Sequence, residues 1–508
     1  MGDAPAATEN ARFRVRKWRD KSGGGGHNNP MNLDTARCYQ ALLTHDARFD
    51  GVFFVGVSTT RIYCRTICTA RTPRPDRCTF YPSAAAAEQA GYRPCLRCRP
   101  EMAPGLAPLD ARDRLAAEAA RRIEDGALAE GGMAGLAATL GVSERHLRRV
   151  IIQEFGVSPV QLAQTQRLLL AKRLLSDTDM TIGAVAFASG FSSVRRFNAL
   201  FAGRYRLNPS DLRRSRPSGP ASETLVCEVA YRPPLDWDSL LDFLVGRASA
   251  GIEARDGRRY LRTVQTGEHR GWLLVAPISE RPALRVELSA SLAPVLRPVL
   301  ARVRRLFDLG ADPLPIAAHL GPLAASRPGL RVPGAFDGFE MAVRAILGQQ
   351  VSVRAASTLA GRLAAALGEP IPTPFASLTH LSPAPERVAA ARPEDLTALG
   401  ILATRAHSLL ALARAVAGGN LVLEPGGDVE ETIARLQSLP GIGEWTAQYI
   451  AMRALAWPDA FPHTDLGIQK AMKENNPKRI LAAAEPWRPW RAYAAMHLWK
   501  SLDQGSGG

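Results

Sequence analysis

The sequence predicts a multidomain protein, mainly α with α/β parts. Three observations carry that prediction. The chain has 508 residues, and at roughly 100–200 residues per domain such a length fills three or four domains. Six of its seven cysteines fall between residues 38 and 98, which sets one small segment apart. β-type runs lie in the middle of the chain, while much of the rest carries apolar residues at helical spacing.

Composition narrows the class. With 46% hydrophobic and 22% charged residues, wholesale disorder and collagen-like repeats are excluded. No run of 18 apolar residues suggests a transmembrane helix. The N-terminus lacks the apolar core of a secretory signal, so a cytoplasmic location is expected. The charge of +16 is unevenly spread. Residues 1–220 hold 33 Lys and Arg against 20 Asp and Glu, a net of +13; residues 221–508 hold 31 against 28, a net of +3. Arginine dominates the first half, and guanidinium meets phosphate in a planar, bidentate way, so nucleic acid is the leading expected partner. An Arg-favouring, GC-rich genome would leave the same charge without any such partner.

The elements follow in order. Residues 1–30 are polar and end in the run Gly23 to Gly26, as a flexible tail does. A Pro-containing joint, Arg99 to Pro108, separates the Cys-rich segment from an Ala/Arg/Leu-rich helical one. A second joint, Arg213-Arg-Ser-Arg-Pro-Ser-Gly-Pro-Ala-Ser, reads as a linker. Beyond it, Leu225 to Tyr231 and Tyr260 to Val275 read as β-structure, and from about Phe336 the pattern is that of an α-bundle.

Among the cysteines the spacing selects Cys64-x3-Cys68, then 26 residues, then Cys95-x2-Cys98. Two close pairs, each on a turn, can set four thiolates tetrahedrally around Zn²⁺, and in a cytosolic chain such clustering points to metal rather than disulfides. A purely structural zinc knot fits the same spacing. Cys38 and Cys78 have no near partner and read as packing or surface residues. The flanks, Phe53-Phe-Val-Gly-Val-Ser-Thr-Thr-Arg-Ile-Tyr-Cys64 and Gly91-Tyr-Arg-Pro-Cys95-Leu-Arg-Cys98-Arg-Pro, resemble the N-terminal domain of the Ada family of alkylation-response proteins. The resemblance implies that Cys64 is both ligand and acceptor of a methyl group from a DNA methylphosphotriester. Cys68, Cys95 and Cys98 would be the remaining ligands. A zinc-held thiolate stays deprotonated and nucleophilic, and methylating it removes one negative charge facing the phosphates.

Residues 108–216 carry two similar signals. Leu136-Ala-Ala-Thr-Leu-Gly-Val-Ser-Glu-Arg-His-Leu-Arg-Arg has a Gly turn, a Ser cap, and then a helix bearing Arg145, His146, Arg148 and Arg149. Val185-Ala-Phe-Ala-Ser-Gly-Phe-Ser-Ser-Val-Arg-Arg repeats that plan with Gly190, Arg195 and Arg196. Both fit a helix-turn-helix whose second helix enters the major groove. The pair, with Phe201 and Tyr205-Arg-Leu-Asn-Pro-Ser, resembles the tandem DNA-binding module of AraC-type regulators. These arginines fit base readers and phosphate contacts equally.

A second chemistry lies in the C-terminal half. Leu439-Pro-Gly441-Ile-Gly443-Glu-Trp-Thr-Ala is a helix-hairpin-helix signature. Its glycines let the backbone turn tightly and aim N–H groups at a phosphate; a protein-binding turn could share the pattern. Asp465 follows in Phe-Pro-His-Thr-Asp-Leu, where an Asp opening a helix can be simply an N-cap. Hairpin and Asp together resemble base-excision DNA glycosylases. The motifs Arg232-Pro-Pro-Leu-Asp-Trp, Arg327-Pro-Gly-Leu-Arg-Val-Pro-Gly, Arg344-Ala-Ile-Leu-Gly-Gln-Gln-Val-Ser and Pro486-Trp-Arg-Pro-Trp-Arg extend the resemblance to AlkA-type 3-methyladenine DNA glycosylases, over about 224–500.

That resemblance implies an enzyme that flips a damaged purine into an aromatic pocket. Trp445, Tyr449 and Trp499 would stack on the cationic base, and Asp465 would be the catalytic carboxylate. Core packing is the alternative reading for Trp487 and Trp490, and in part for the three pocket aromatics. Lyase-active relatives carry a lysine two residues after the second hairpin glycine; here Trp445 stands there, so a monofunctional glycosylase is expected. Gln350 occupies the position where the best-known member of that family inserts a leucine wedge into the duplex. Hairpin carbonyls around Gln437, Leu439 and Ile442 are an implied monovalent-cation site. No Pro-Cys-His-Arg motif occurs, so O6-alkylguanine repair is not expected.

The resulting partition is a tail (1–30), a small zinc domain (31–104), a tandem helix-turn-helix domain (108–216), an α/β subdomain (222–332) and a helix-hairpin-helix glycosylase domain (333–502). Double-stranded DNA is the expected partner, with RNA polymerase a further candidate, no membrane, and a monomeric state. The competing expectation is a methylation-responsive transcription factor whose C-terminal half binds damaged DNA without catalysis.

Overall fold

A computed structural model describes residues 34–104, 114–214 and 223–503. The polar tail 1–30 and the linker core 215–222 lie outside the described residues.

In the first domain the central strand Phe54–Val57 pairs antiparallel with Ile62–Cys64 and with Cys78–Tyr81. Arg93–Pro94 joins Ile62–Cys64 in parallel. The sheet is too small for a core of its own size to suffice. Phe53, Val55 and Phe80 therefore pack against Cys64, Cys68 and Cys95. A buried Asp50–Arg65 ion pair closes one end, with Arg65 Nε donating to Asp50 at 2.8 Å.

The next module is all helix. Ser143, Ser158, Thr181 and Ser193 each accept a backbone N–H from the first turn of the helix they open, which satisfies donors a helix start leaves orphaned. The first helix-turn-helix unit is Gly132–Thr139 followed by Glu144–Phe155; the second is Ile182–Ala188 followed by Val194–Tyr205. The long helix Pro159–Asp177 joins them.

The α/β region has a five-stranded antiparallel sheet. Its order is Thr224–Ala230, Ala283–Ser289, His269–Pro277, Arg259–Thr266, Glu253–Asp256. The continuous β-type run from Tyr260 to Val275 proves to be a hairpin that turns at Gly267, whose φ is +58°. Cys227 points into the core of the first strand between Leu225 and Val229. The C-terminal bundle includes Gly338–Leu347, Val353–Leu367, Ala403–Ala417, Val429–Gln437, Glu444–Arg453 and Arg491–Asp503.

The domains are packed rather than strung out. Val185, Phe197 and Phe201 of the second helix-turn-helix unit belong to one buried cluster with Leu292, Leu296 and Val299 of the α/β region. Arg297 donates to the Ile123 carbonyl at 3.0 Å, and Arg304 pairs with Glu124. On the other side, Glu88 of the small domain accepts hydrogen bonds from Tyr63 (3.1 Å) and from Thr165 of the long helix (2.9 Å).

Candidate active sites and nucleic-acid interface

The four cysteines selected by spacing converge. The sulfurs of Cys64, Cys68, Cys95 and Cys98 all lie within 4.8 Å of one another, the first three buried and Cys98 half-buried. Cys64 ends its strand, and Cys95 is placed by its N–H donating to the Tyr63 carbonyl at 3.0 Å. Zn–S bonds of about 2.3 Å require sulfurs roughly 3.8 Å apart, so this donor set fits one zinc ion. Hydrogen bonding among the sulfurs pulls Cys95 far below the ordinary thiol value and pushes Cys64 far above it. The Arg65 N–H donates to Cys98 Sγ at 3.4 Å. Cys38 stands apart as a buried residue whose thiol burial lifts to about 11, and Cys78 is half-buried.

Both turns of the helix-turn-helix units use glycine where the backbone turns left-handed: Gly141 at φ +65° and Gly190 at +85°. Arg145, Arg148 and Arg149 are exposed on the second helix of the first unit, as are Arg195 and Arg196 on that of the second. His146 differs. It is half-buried, and Arg149 donates to its Nδ1 at 3.0 Å, so it steadies a neighbouring cation as well as facing outward.

In the C-terminal bundle the hairpin links Val429–Gln437 to Glu444–Arg453. Gly441 sits at φ +75°, and a Cβ there would lie 2.2 Å from Ser408 Oγ. Gly443 has an ordinary φ of −88° and open space around the position of a Cβ. Asp465 is indeed an N-cap, accepting the Ile468 N–H at 3.1 Å, yet it is more than that. Trp445 Nε1 donates to one carboxylate oxygen at 2.9 Å and Trp499 Nε1 to the other at 2.8 Å. Trp445 stacks on Tyr449 (5.3 Å, 7°), and Trp499 meets the edge of Tyr449 at 6.2 Å. Trp490 lies instead in a separate core cluster, with Trp487 packed against it.

Several residues at this site escaped the sequence reading. Phe243, from the α/β region, stacks on Trp499 at 6.3 Å. Arg453 donates to the Tyr449 hydroxyl at 2.9 Å. Burial is the largest single influence and would raise that hydroxyl's pKa, but the charges of Arg453, Arg247 and Arg344 together with the Arg453 hydrogen bond bring it below the usual phenol value. Gln349 donates to the Gly441 carbonyl (2.8 Å) and to Thr446 Oγ1 (3.0 Å). Its neighbour Gln350 is exposed at φ +51°. Among the hairpin carbonyls, Leu439 accepts the Ile442 N–H at 3.3 Å. Phe243 sits more than two hundred residues before its partner on an ordinary amphipathic helix, so no sequence signal marks it. Gln349, inside a motif already quoted, was within reach.

Four families match the chain in order: the metal-binding domain of Ada at 37–101, a helix-turn-helix domain at 136–215, the AlkA N-terminal domain at 226–337, and the HhH-GPD superfamily of base excision DNA repair proteins at 343–480. A probable bifunctional transcriptional activator/DNA repair enzyme AlkA of Mycobacterium tuberculosis is 39% identical over 489 residues, 93% of this chain and 97% of that protein. DNA-3-methyladenine glycosylase 2 of Escherichia coli is 43% identical over 269 residues, 53% of this chain and 95% of that protein. The bifunctional transcriptional activator/DNA repair enzyme Ada of E. coli is 35% identical over 136 residues, 27% of this chain and 36% of that protein. With four matched domains in one order and a relative aligned over nearly its full length, this chain belongs to the family of bifunctional AlkA-type transcriptional activator/DNA repair enzymes.

Proposed function

We propose that this protein both excises alkylated purines from DNA and reports alkylation to transcription. The observation that carries the enzyme reading is the Asp465 carboxylate, held by two indole N–H groups beside a stacked Trp445–Tyr449 pair. A flipped purine alkylated at N3 or N7 is cationic and stacks favourably on such rings, by about 0.5–2 kcal/mol. As its glycosidic bond breaks, positive charge grows on the sugar. A fixed carboxylate stabilises that charge or orients the attacking water. With Trp445 where a lysine would be needed, the reaction is hydrolysis without a Schiff base.

At the N-terminal site Cys64, Cys68, Cys95 and Cys98 would hold a zinc ion, which would keep cysteine sulfur deprotonated at neutral pH. The Cys64 sulfur attacks the methyl carbon of a methylphosphotriester. A C–S bond forms, the C–O bond breaks, and the phosphodiester leaves with the electron pair. With zinc in place, turning the Cys64 thiolate into a thioether would remove one negative charge from the site, and the repulsion of DNA phosphates would fall with it. Arg145, Arg148, Arg149, Arg195, Arg196 and His146 then contact the promoter, while Gly441 and Gly443 present backbone N–H groups to the damaged duplex and Gln350 enters it. A monovalent cation at the hairpin carbonyls, action as a cytoplasmic monomer, and recruitment of RNA polymerase complete the reading.

The deciding experiment incubates alkylated duplex with the full chain and measures free methylated purine. Wild type is expected to release it and Asp465→Asn to fall at least about a hundredfold. If wild type releases none, the C-terminal half is a damage-binding module and the enzyme reading fails. For the sensor, intact mass after exposure to methylated DNA should show one added methylene that is lost in Cys64→Ser. An adduct persisting in that variant overturns the acceptor assignment.

A further inference from the structure

Gln350 has a left-handed backbone at an exposed position, a conformation unfavourable for a non-glycine residue. It lies in the short loop between the helices Gly338–Leu347 and Val353–Leu367. What fixes it is the preceding residue. The Gln349 side chain donates to the Gly441 carbonyl at 2.8 Å and to Thr446 Oγ1 at 3.0 Å. Its own carbonyl accepts from Arg405, a buried residue of the helix Ala403–Ala417, at 2.5 Å. The same helix supplies Ser408, which lies where a side chain on Gly441 would need to be. Downstream, Ser352 caps the next helix by accepting the Ala355 N–H at 3.2 Å. Gln349 is thus tied through both side chain and backbone, and residue 350 is left exposed between two fixed points.

We propose that Gln349 is a positioning residue for base flipping: it locks the loop bearing Gln350 onto the hairpin, so that phosphate grip and duplex penetration act as one rigid unit. The amide suits this task because both of its partners accept. A glutamate would set a carboxylate against the Gly441 carbonyl, and a hydrocarbon would leave two acceptors unmet. Rigidity matters because opening a base pair must be driven by contacts already in place when the hairpin engages.

The inference rests on the glycosylase reading, and its test separates the two. Single-turnover base release is measured for Gln349→Met and Gln349→Glu in the full chain, on one alkylated purine placed either in a paired duplex or in an unpaired bubble. The paired substrate is expected to slow by about tenfold, the effect of losing one to two such hydrogen bonds. The bubble, which needs no flipping, should stay within about threefold of wild type. Equal loss on both substrates would make Gln349 a general support of the site and overturn the proposal, as would no loss on either. Thermal melts of both variants confirm that the fold is retained, and absence of release by wild type would sink the glycosylase reading instead.

Discussion

Asp465 serves two masters. One carboxylate oxygen accepts both the helix-opening Ile468 N–H and the Trp499 indole, while the other accepts the Trp445 indole. Each charge-assisted bond contributes about 1.5–3 kcal/mol, so its loss should register on the rate. Trp499→Phe keeps a six-membered ring for stacking and removes the N–H together with the pyrrole part of the indole. Base release is expected to slow roughly tenfold or more, with duplex affinity nearly unchanged; a variant as fast as wild type would show that the indole does not orient the carboxylate. Gly467 helps make this arrangement fit, since a Cβ there would lie 2.9 Å from Asp465 Oδ1 and 3.0 Å from Trp499 Cδ1.

The hairpin shows how one element uses two glycines for different reasons. Gly441 is needed by the fold, with φ +75° and Ser408 against it. Gly443, at φ −88° in open space, is conformationally replaceable. Gly441→Ala is therefore expected to destabilise the domain by about 1–3 kcal/mol. Gly443→Ala should leave the melting temperature within about 1 °C but weaken binding to undamaged duplex, because a methyl group there stands between amide and phosphate. Denaturation curves and a binding titration on the same two variants decide it; equal stability loss would refute the distinction. At the same scale, the helix-turn-helix units follow rules visible in the sequence: glycine in the turn, serine at the cap, arginines on the outer face.

Across the whole molecule the domains meet through buried polar groups as well as apolar ones. Glu88 is fully enclosed between the zinc domain and the regulator helices, facing Tyr63, Thr165, Arg204 and Tyr205. Burial, only partly offset by the hydrogen bond from Thr165 and the Arg204 charge, raises its pKa to about 7. A carboxyl whose folded pKa is raised stabilises the fold while protonated. That contribution is complete below the unfolded value near 4.5 and is lost as pH rises through about 7. Stability measured by denaturant unfolding should thus decline from pH 5 to pH 8 by up to about 2–3 kcal/mol from this group. Glu88→Gln should flatten that part of the profile. Asp308, lifted to about 6 by burial, slopes the same way, so the difference between wild type and variant isolates Glu88. Identical profiles would refute the assignment.

In the proposed reading the basic half of the chain and the nearly neutral half would approach DNA by different means. The first presents exposed arginines on two helices. The second would rely on backbone N–H groups at a hairpin and on an aromatic pocket, neither of which appears in a net charge. This is why charge alone marked only half the protein as a partner of nucleic acid.

What the sequence by itself determined is everything carried by near neighbours. Two cysteine pairs announced the metal cluster, glycine-serine spacings announced both helix-turn-helix units, and Pro-Gly-Ile-Gly announced the hairpin, because turns, caps and chelating pairs are built within a few residues. The tertiary structure alone decided what crosses the chain. It brought Phe243 beneath Trp499, set Gln349 on the Gly441 carbonyl, placed Glu88 against Thr165, and merged the second helix-turn-helix unit and the α/β region into one core. Such contacts depend on how whole elements pack, and an apolar or amide side chain at a helix position carries no local mark of the distant surface it will meet.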